Sequence, residues 1–191
     1  SEVGMGCMAF SHGYGQIPPE EYSVEAIQNA CQNGCTFFDT AEIYSPNLSG
    51  IGHNERIVGK ALYGVREQVV IATKLFLNGF EAIGRYSVYH AVRRHLEGSL
   101  KRLGTDWVDI YYLHRMGGVS VEKIAEAMGR LMEDGLIRGW GLSQVDVPVI
   151  QKANRVTPLS AIQNIYSMVE RDAEQGVIPY CLENNIGFVP F

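Results

Sequence analysis

Val69-Val70-Ile71-Ala72-Thr73-Lys74 is a short apolar run that ends on a lysine. Two other runs share its form. Cys35-Thr36-Phe37-Phe38 stops at Asp39, and Val108-Asp109-Ile110-Tyr111-Tyr112-Leu113 stops at His114. Runs of this length and composition read as β-strands. In a parallel α/β barrel the carboxyl ends of the strands converge on one mouth, where the chemistry is built. Asp39, Lys74 and His114, with Tyr44 in the loop after the first of these runs, would deliver a carboxylate, an ammonium, an imidazole and a phenol to that mouth. Such a set makes a proton-donating site.

Outward from these runs the chain alternates strand and helix. Gly4 to Ala9 reads as a first strand, and Val24, Ile27, Ala30 and Cys31 form a helical stripe ended by Asn33-Gly34. A second helix carries Ile57, Val58, Ala61 and Leu62 on one face. A third carries Val88, Val92, Leu96, Leu100 and Leu103, with Ser87 as N-cap and Gly104 as stop. Ser120 opens a fourth helix with Ile124, Ala125, Met128, Leu131 and Met132 inward, closed by Gly135. Ile137 to Leu142 is a fifth strand, Val147 to Ala153 a short helix and Ser160 to Asn164 a sixth strand. Gln175 to Asn185 is a sixth helix, and Ile186 to Pro190 begins a seventh strand. Alternation at these lengths implies parallel βαβ units.

About seven strands in one series favour a closed (β/α)8 TIM barrel over a doubly wound sheet. Gly4-Met5-Gly6-Cys7-Met8-Ala9 lacks the third glycine of a dinucleotide-binding turn, which weakens the Rossmann alternative. The series reaches Phe191 one βα unit short of closure, so the expectation is a single barrel domain over 1–191 without its last unit.

The 191 residues carry a net charge of −5 and are 46% hydrophobic, an ordinary globular composition with enough chain for a core. Mild acidity argues against a nucleic-acid surface. No apolar run nears the roughly 20 residues of a membrane span. Ser1-Glu2-Val3-Gly4 has neither the basic start nor the apolar stretch of a secretory signal. Cys7, Cys31, Cys35 and Cys181 read as reduced thiols, since no further ligands stand at zinc spacing around Cys31 and Cys35. The expectation is a cytoplasmic protein with no metal, acting on a small molecule; oligomeric state has no readable signal.

Each site residue also has a plain structural reading. Tyr44 is one of ten tyrosines and lies in a loop. Asp39-Thr40 could turn the chain, Lys74 could be an exposed strand end, and His114 a core histidine. Their joint placement at three consecutive strand ends favours function. His12, His53, His90 and His95 lack such placement, and Trp107 and Trp140 read as core.

Ordered motifs carry a resemblance. Phe38-Asp39-Thr40-Ala41-Glu42-Ile43-Tyr44 resembles the Asp-Thr-Ala-x-x-Tyr segment of the aldo-keto reductases, and Asn54 to Leu62 resembles the helix that follows it. Ile71-Ala72-Thr73-Lys74 is similar to the lysine strand of that family. Ser99 to Asp106 with Asp109 to His114 is similar to its histidine strand and approach. Gly141-Leu142-Ser143-Gln144 resembles Gly-Leu-Ser-Asn with Gln144 in place of Asn, Gln163 and Tyr166-Ser167 fit the next strand end, and Gly187 to Phe191 resembles the seventh strand.

The resemblance implies an NADPH-dependent reduction of a small carbonyl substrate. Tyr44 would donate the proton, Lys74 and Asp39 would tune it, and His114 would orient the carbonyl. Ser143, Gln144 and Gln163 would hold the nicotinamide carboxamide, Asp39 would also lie beside the cofactor, and Phe191 would stack on its ring. A preference for NADPH over NADH is inherited from the resemblance, because the family binds the 2′-phosphate after its eighth strand. The loops Ser45 to His53 and Phe76 to Tyr86 are candidate walls, with Met8, Phe10 and Tyr14 as added apolar lining.

The chemistry suits these residue types. A free phenol, with a pKa near ~10, is a slow donor at neutral pH, and a nearby ammonium eases release of its proton. General acid catalysis of this kind is worth roughly 10²–10⁴ in rate. Two other readings stand open. In one the same fold serves as a non-catalytic, cofactor-binding redox-sensor subunit. In the other Lys74 is the nucleophile of a Schiff-base aldolase, which would need a depressed lysine pKa that a close Asp39 opposes. A short-chain dehydrogenase is disfavoured because no tyrosine is followed by lysine four residues on.

Overall fold

The computed structural model describes residues 1–13, 15–47, 50–77 and 88–191. Ser87 and Tyr14, the stretch 78–86 of one expected wall loop, and Leu48-Ser49 of the other lie outside the described residues.

The strands are β1 (Met5–Gly6), β2 (Phe37–Asp39), β3 (Val70–Leu75), β4 (Val108–Leu113), β5 (Ile137–Ser143), β6 (Ala161–Asn164) and β7 (Gly187–Pro190). They follow one another in chain order in one sheet. Between them run α1 (Glu20–Gln32), α2 (His53–Ala61), α3 (Val88–Leu103), α4 (Val121–Glu133), α5 (Val147–Val156) and α6 (Val177–Glu183). The alternation read from the sequence is therefore present element by element.

The chain divides into two compact units, one made of 1–75 with 95–109 and the other of 76–94 with 110–191. In the first, β1 pairs with β2 and β2 with β3, both parallel, with Phe38 opposite Ile71 and Asp39 opposite Ala72. Its core is Ile27, Phe38, Ile57, Val58, Ile71, Leu96 and Val108, all nearly free of solvent contact. Gly59 of α2 lies where a Cβ would stand 2.5 Å from the Leu103 carbonyl oxygen, so α2 reaches the end of α3 only because the side chain is absent.

In the second unit β5, β6 and β7 pair in parallel, with Ser143 opposite Gln163 and Ile162 opposite Phe188. Tyr111, Tyr112, Ile124, Met128, Trp140, Leu142 and Ile162 are buried there. The Trp140 indole N–H donates to the Pro158 carbonyl at 3.1 Å. Gly141 is forced by its surroundings: a Cβ would stand 2.3 Å from the Ala161 carbonyl oxygen and 2.5 Å from the Tyr112 ring.

Local signals set most boundaries. Ser120 caps α4 by accepting from the Lys123 amide, and Gly135, at φ +73°, turns the chain out of it. Asp146 caps α5 by accepting from the Val149 amide at 3.1 Å. That helix runs three residues past the expected Ala153, to Val156, and stops before the extended Thr157 that precedes Pro158.

Two expectations need correction. The first strand is only Met5–Gly6, because the chain coils into a 3-10 turn at Met8–Phe10. The sixth helix starts at Val177 and not Gln175, with a separate 3-10 turn at Asp172–Gln175. Pro179 has no N–H to give to an earlier turn, so it belongs in the first turn of its helix, and Gly176 breaks the run before it.

Candidate active site

In the first unit, β2 ends on Asp39 and β3 carries Lys74 one residue before its own end. The Lys74 ammonium is only 1% exposed. A buried ammonium is tolerated when its hydrogens are all paired, and here the three N–H groups have three acceptors. They are Asp39 Oδ1, the Thr40 carbonyl at 2.7 Å and the Tyr44 phenol oxygen at 3.2 Å. The ammonium also lies 4.9 Å from the centroid of the Tyr44 ring. Asp39, Tyr44 and Lys74, singled out separately in the sequence, thus form one cluster. In its contact with Lys74 the phenol oxygen is the acceptor.

The loop that carries Tyr44 is tied to the strands beside it. Thr40 donates its amide to the Ala72 carbonyl at 2.9 Å, and Glu42 donates its amide to the Lys74 carbonyl at 3.3 Å. A second polar group lies nearby that sequence reasoning missed. Glu55 of α2 is fully buried; its carboxylate accepts from the Thr73 hydroxyl at 2.7 Å and from Arg102 Nε of α3 at 2.5 Å. Glu42, also buried, meets His95 Nδ1 at 2.9 Å. A signal for Glu55 existed, since it stands three residues before Val58 on the apolar stripe of α2.

Charge in this cluster reaches Cys7. Burial pushes the Cys7 thiol well above its usual range, and the Asp39 carboxylate pushes it further. Among the described residues no three His, Cys, Asp or Glu side chains converge to hold a metal ion.

In the second unit His114 follows β4 directly and is buried. Ser143 closes β5 and Gln163 lies in β6, register partners with both side chains buried. The exposed Arg115 donates through one nitrogen to the His114 carbonyl at 2.7 Å and to the Ser143 hydroxyl oxygen at 3.1 Å. Arg115 was not anticipated; its only sequence signal is its place beside His114.

Gln144 occupies a left-handed conformation, φ +54°, and its amide donates to the Gln163 carbonyl at 3.1 Å. Its side-chain oxygen accepts from the Ile165 amide at 2.7 Å, so the longer arm reaches back to its own chain. Asn164 completes this clamp by donating to the Val145 carbonyl at 2.9 Å. Phe191 follows β7, and its backbone pairs with Asn164 and Tyr166.

The Aldo/keto reductase family model matches residues 2–191. A probable aldo-keto reductase 1 of Glycine max is 35% identical over 195 aligned residues, covering 100% of this chain and 55% of that protein. Among solved structures, an aldo/keto reductase of Klebsiella pneumoniae in complex with NADP and acetate superposes with TM-score 0.82 at 30% identity, over 98% of this chain and 62% of that one. The glycerol dehydrogenase AKR11B4 of Gluconobacter oxydans superposes with TM-score 0.83 at 28% identity, over 100% of this chain and 59% of that one. The chain therefore spans between half and two thirds of the length of these proteins. The chain-ordered parallel strands and these superpositions give the fold class expected from the sequence, the (β/α)8 barrel, with seven strands among the described residues.

Proposed function

The chain belongs to the aldo/keto reductase family, and from that premise we propose that it reduces an aldehyde or ketone to an alcohol, with NADPH as reductant and Tyr44 as general acid. The observation that carries this reading is the buried Lys74 ammonium, bonded to both Asp39 and the Tyr44 oxygen.

The residues present fit a nicotinamide carboxamide. Ser143 and Gln163 stand side by side on β5 and β6, a hydroxyl and a primary amide that complement a carboxamide. Arg115 donates to the Ser143 oxygen, which leaves the hydroxyl hydrogen to donate to another group. Gln144 can offer its amide NH2, its oxygen already accepting from Ile165. The aromatic ring of Phe191, directly after β7, suits stacking. The cofactor in the Klebsiella pneumoniae relative supports NADP chemistry here.

When bound, a nicotinamide dinucleotide supplies the hydride. Tyr44 gives its phenolic hydrogen to the carbonyl oxygen as negative charge develops there. The phenolate left behind faces the Lys74 ammonium, which is held in place by Asp39 and the Thr40 carbonyl. His114, directly after β4, is assigned the role of hydrogen-bonding the carbonyl oxygen. A proton from solvent then restores the phenol. The same geometry speaks against the Schiff-base reading, because all three Lys74 hydrogens are engaged and the partner is a carboxylate.

The test is isotopic. The full-length gene product, supplied with NADPH deuterated at the transferring carbon and an activated aromatic aldehyde, is expected to place deuterium on the alcohol carbon. Alcohol formed without deuterium, or no alcohol from a protein that binds NADPH, would overturn the reductase reading.

A further inference from the structure

Asn54, at the start of α2, is fully buried and touches the surroundings of Asp39, Lys74 and Tyr44 at once. Its amide orientation is fixed by its partners. The Cys7 carbonyl can only accept, so Nδ2 must face it, at 2.8 Å; the second Nδ2 hydrogen goes to the Ser11 oxygen at 2.8 Å. Oδ1 is then turned to Thr40, whose hydroxyl donates to it at 2.6 Å. The outer end is tied down by Ser11, which meets His53 Nδ1 at 2.8 Å.

Each of these bonds leads to the acid. Thr40 is the residue whose carbonyl accepts from the Lys74 ammonium at 2.7 Å. Its amide is held by Ala72 and its hydroxyl by Asn54, which leaves that carbonyl one direction. The backbone N–H of Asn54 donates to the carbonyl of Tyr44 itself at 3.2 Å. Cys7, gripped by the Asn54 amide through its carbonyl, donates its own amide to the Asp39 carbonyl at 2.8 Å.

Lys74 and Tyr44 come from different segments, and their 3.2 Å contact depends on how the loop after β2 lies against β3. We propose that Asn54, acting with the Thr40 hydroxyl, is the positioning residue that sets this contact, and so controls proton donation without touching substrate. This rests on Tyr44 as the acid. A displacement of about 1 Å in a catalytic group can cost on the order of 10²-fold in rate, so a small relaxation of the loop suffices.

The experiment uses the full-length protein with NADPH and an activated aromatic aldehyde. Thr40→Val removes the hydroxyl and keeps the shape, Thr40→Ser restores the hydroxyl, and Asn54→Ala removes the other partner. Thr40→Val and Asn54→Ala are expected to lower kcat by roughly 10- to 100-fold, with the NADPH Kd changed less than about twofold. Thr40→Ser is expected to recover most of the wild-type kcat. In a Tyr44→Phe background, Thr40→Val should remove almost nothing further, because its effect passes through the phenol.

Wild-type kcat in Thr40→Val would overturn the proposal, as would a loss that multiplies with that of Tyr44→Phe or one matched by weaker NADPH binding. If Asn54→Ala does not fold, the Thr40 pair decides alone. Wild-type turnover in Tyr44→Phe alone would overturn the acid assignment, and the positioning role with it; loss there beside an unaffected Thr40→Val overturns only the positioning role.

Discussion

Replacing Lys74 with methionine removes a charge while keeping a long unbranched side chain in a site that is 1% exposed. The ammonium nitrogen lies 3.2 Å from the Tyr44 oxygen. Opposite unit charges at that separation attract by about 5 kcal/mol at an effective dielectric constant of about 20. Asp39 is bonded to the same ammonium and cancels part of its field at the phenolate. Taking about half as the surviving share gives about 2–3 kcal/mol, or roughly 30- to 150-fold in kcat. The assay is steady-state oxidation of NADPH with an aromatic aldehyde across a pH series, with NADPH binding and thermal unfolding measured on the same samples. The expected outcome is a kcat lowered by that factor, nearly unchanged NADPH binding and an altered pH profile. A Lys74→Met protein with wild-type kcat and pH profile would refute the role given to the charge.

The other predictions concern stability and reactivity. Arg102→Leu leaves the fully buried Glu55 carboxylate, among the described residues, with Thr73 as its one remaining side-chain hydrogen-bond partner, so urea unfolding should show a loss of about 3–5 kcal/mol; a loss below about 1 kcal/mol would show that the pair is dispensable. Gly141→Ala places a methyl 2.3 Å from the Ala161 carbonyl oxygen and 2.5 Å from the Tyr112 ring, and should cost about 1–3 kcal/mol or more by the same measurement. The Cys7 thiol, raised by burial and by Asp39, is almost wholly protonated at mildly alkaline pH, where thiolate is the reactive form. Mass spectrometry after alkylation of the native protein should find it unmodified, and modified once the chain is unfolded.

Much of this arrangement was legible in the sequence because strands that end in a polar residue announce themselves. Asp39, Lys74 and His114 each follow an apolar run, and the structure puts them at strand ends. The helices were equally plain wherever an apolar stripe met a cap, as at Ser120 and Gly135. What remained hidden was partner choice. Glu55 and Arg102 are 47 positions apart, and Thr40 finds Asn54 only because the loop after β2 folds back onto the start of α2. No periodicity encodes such a meeting. Gln144 was identified as a departure from Asn, but its turn back to Ile165 follows from a left-handed backbone that composition does not reveal. The late start of α6 was readable, since Pro179 stood in view and its missing N–H belongs in a first turn.

The most direct test of the central claim is NADPH oxidation by the full-length protein with an activated aromatic aldehyde, wild type beside Tyr44→Phe. The account predicts that the mutant binds NADPH as the wild type does and loses at least roughly 10²-fold in turnover, the share general acid catalysis contributes. A mutant that turns over at the wild-type rate would contradict it, and the proton would have to come from elsewhere.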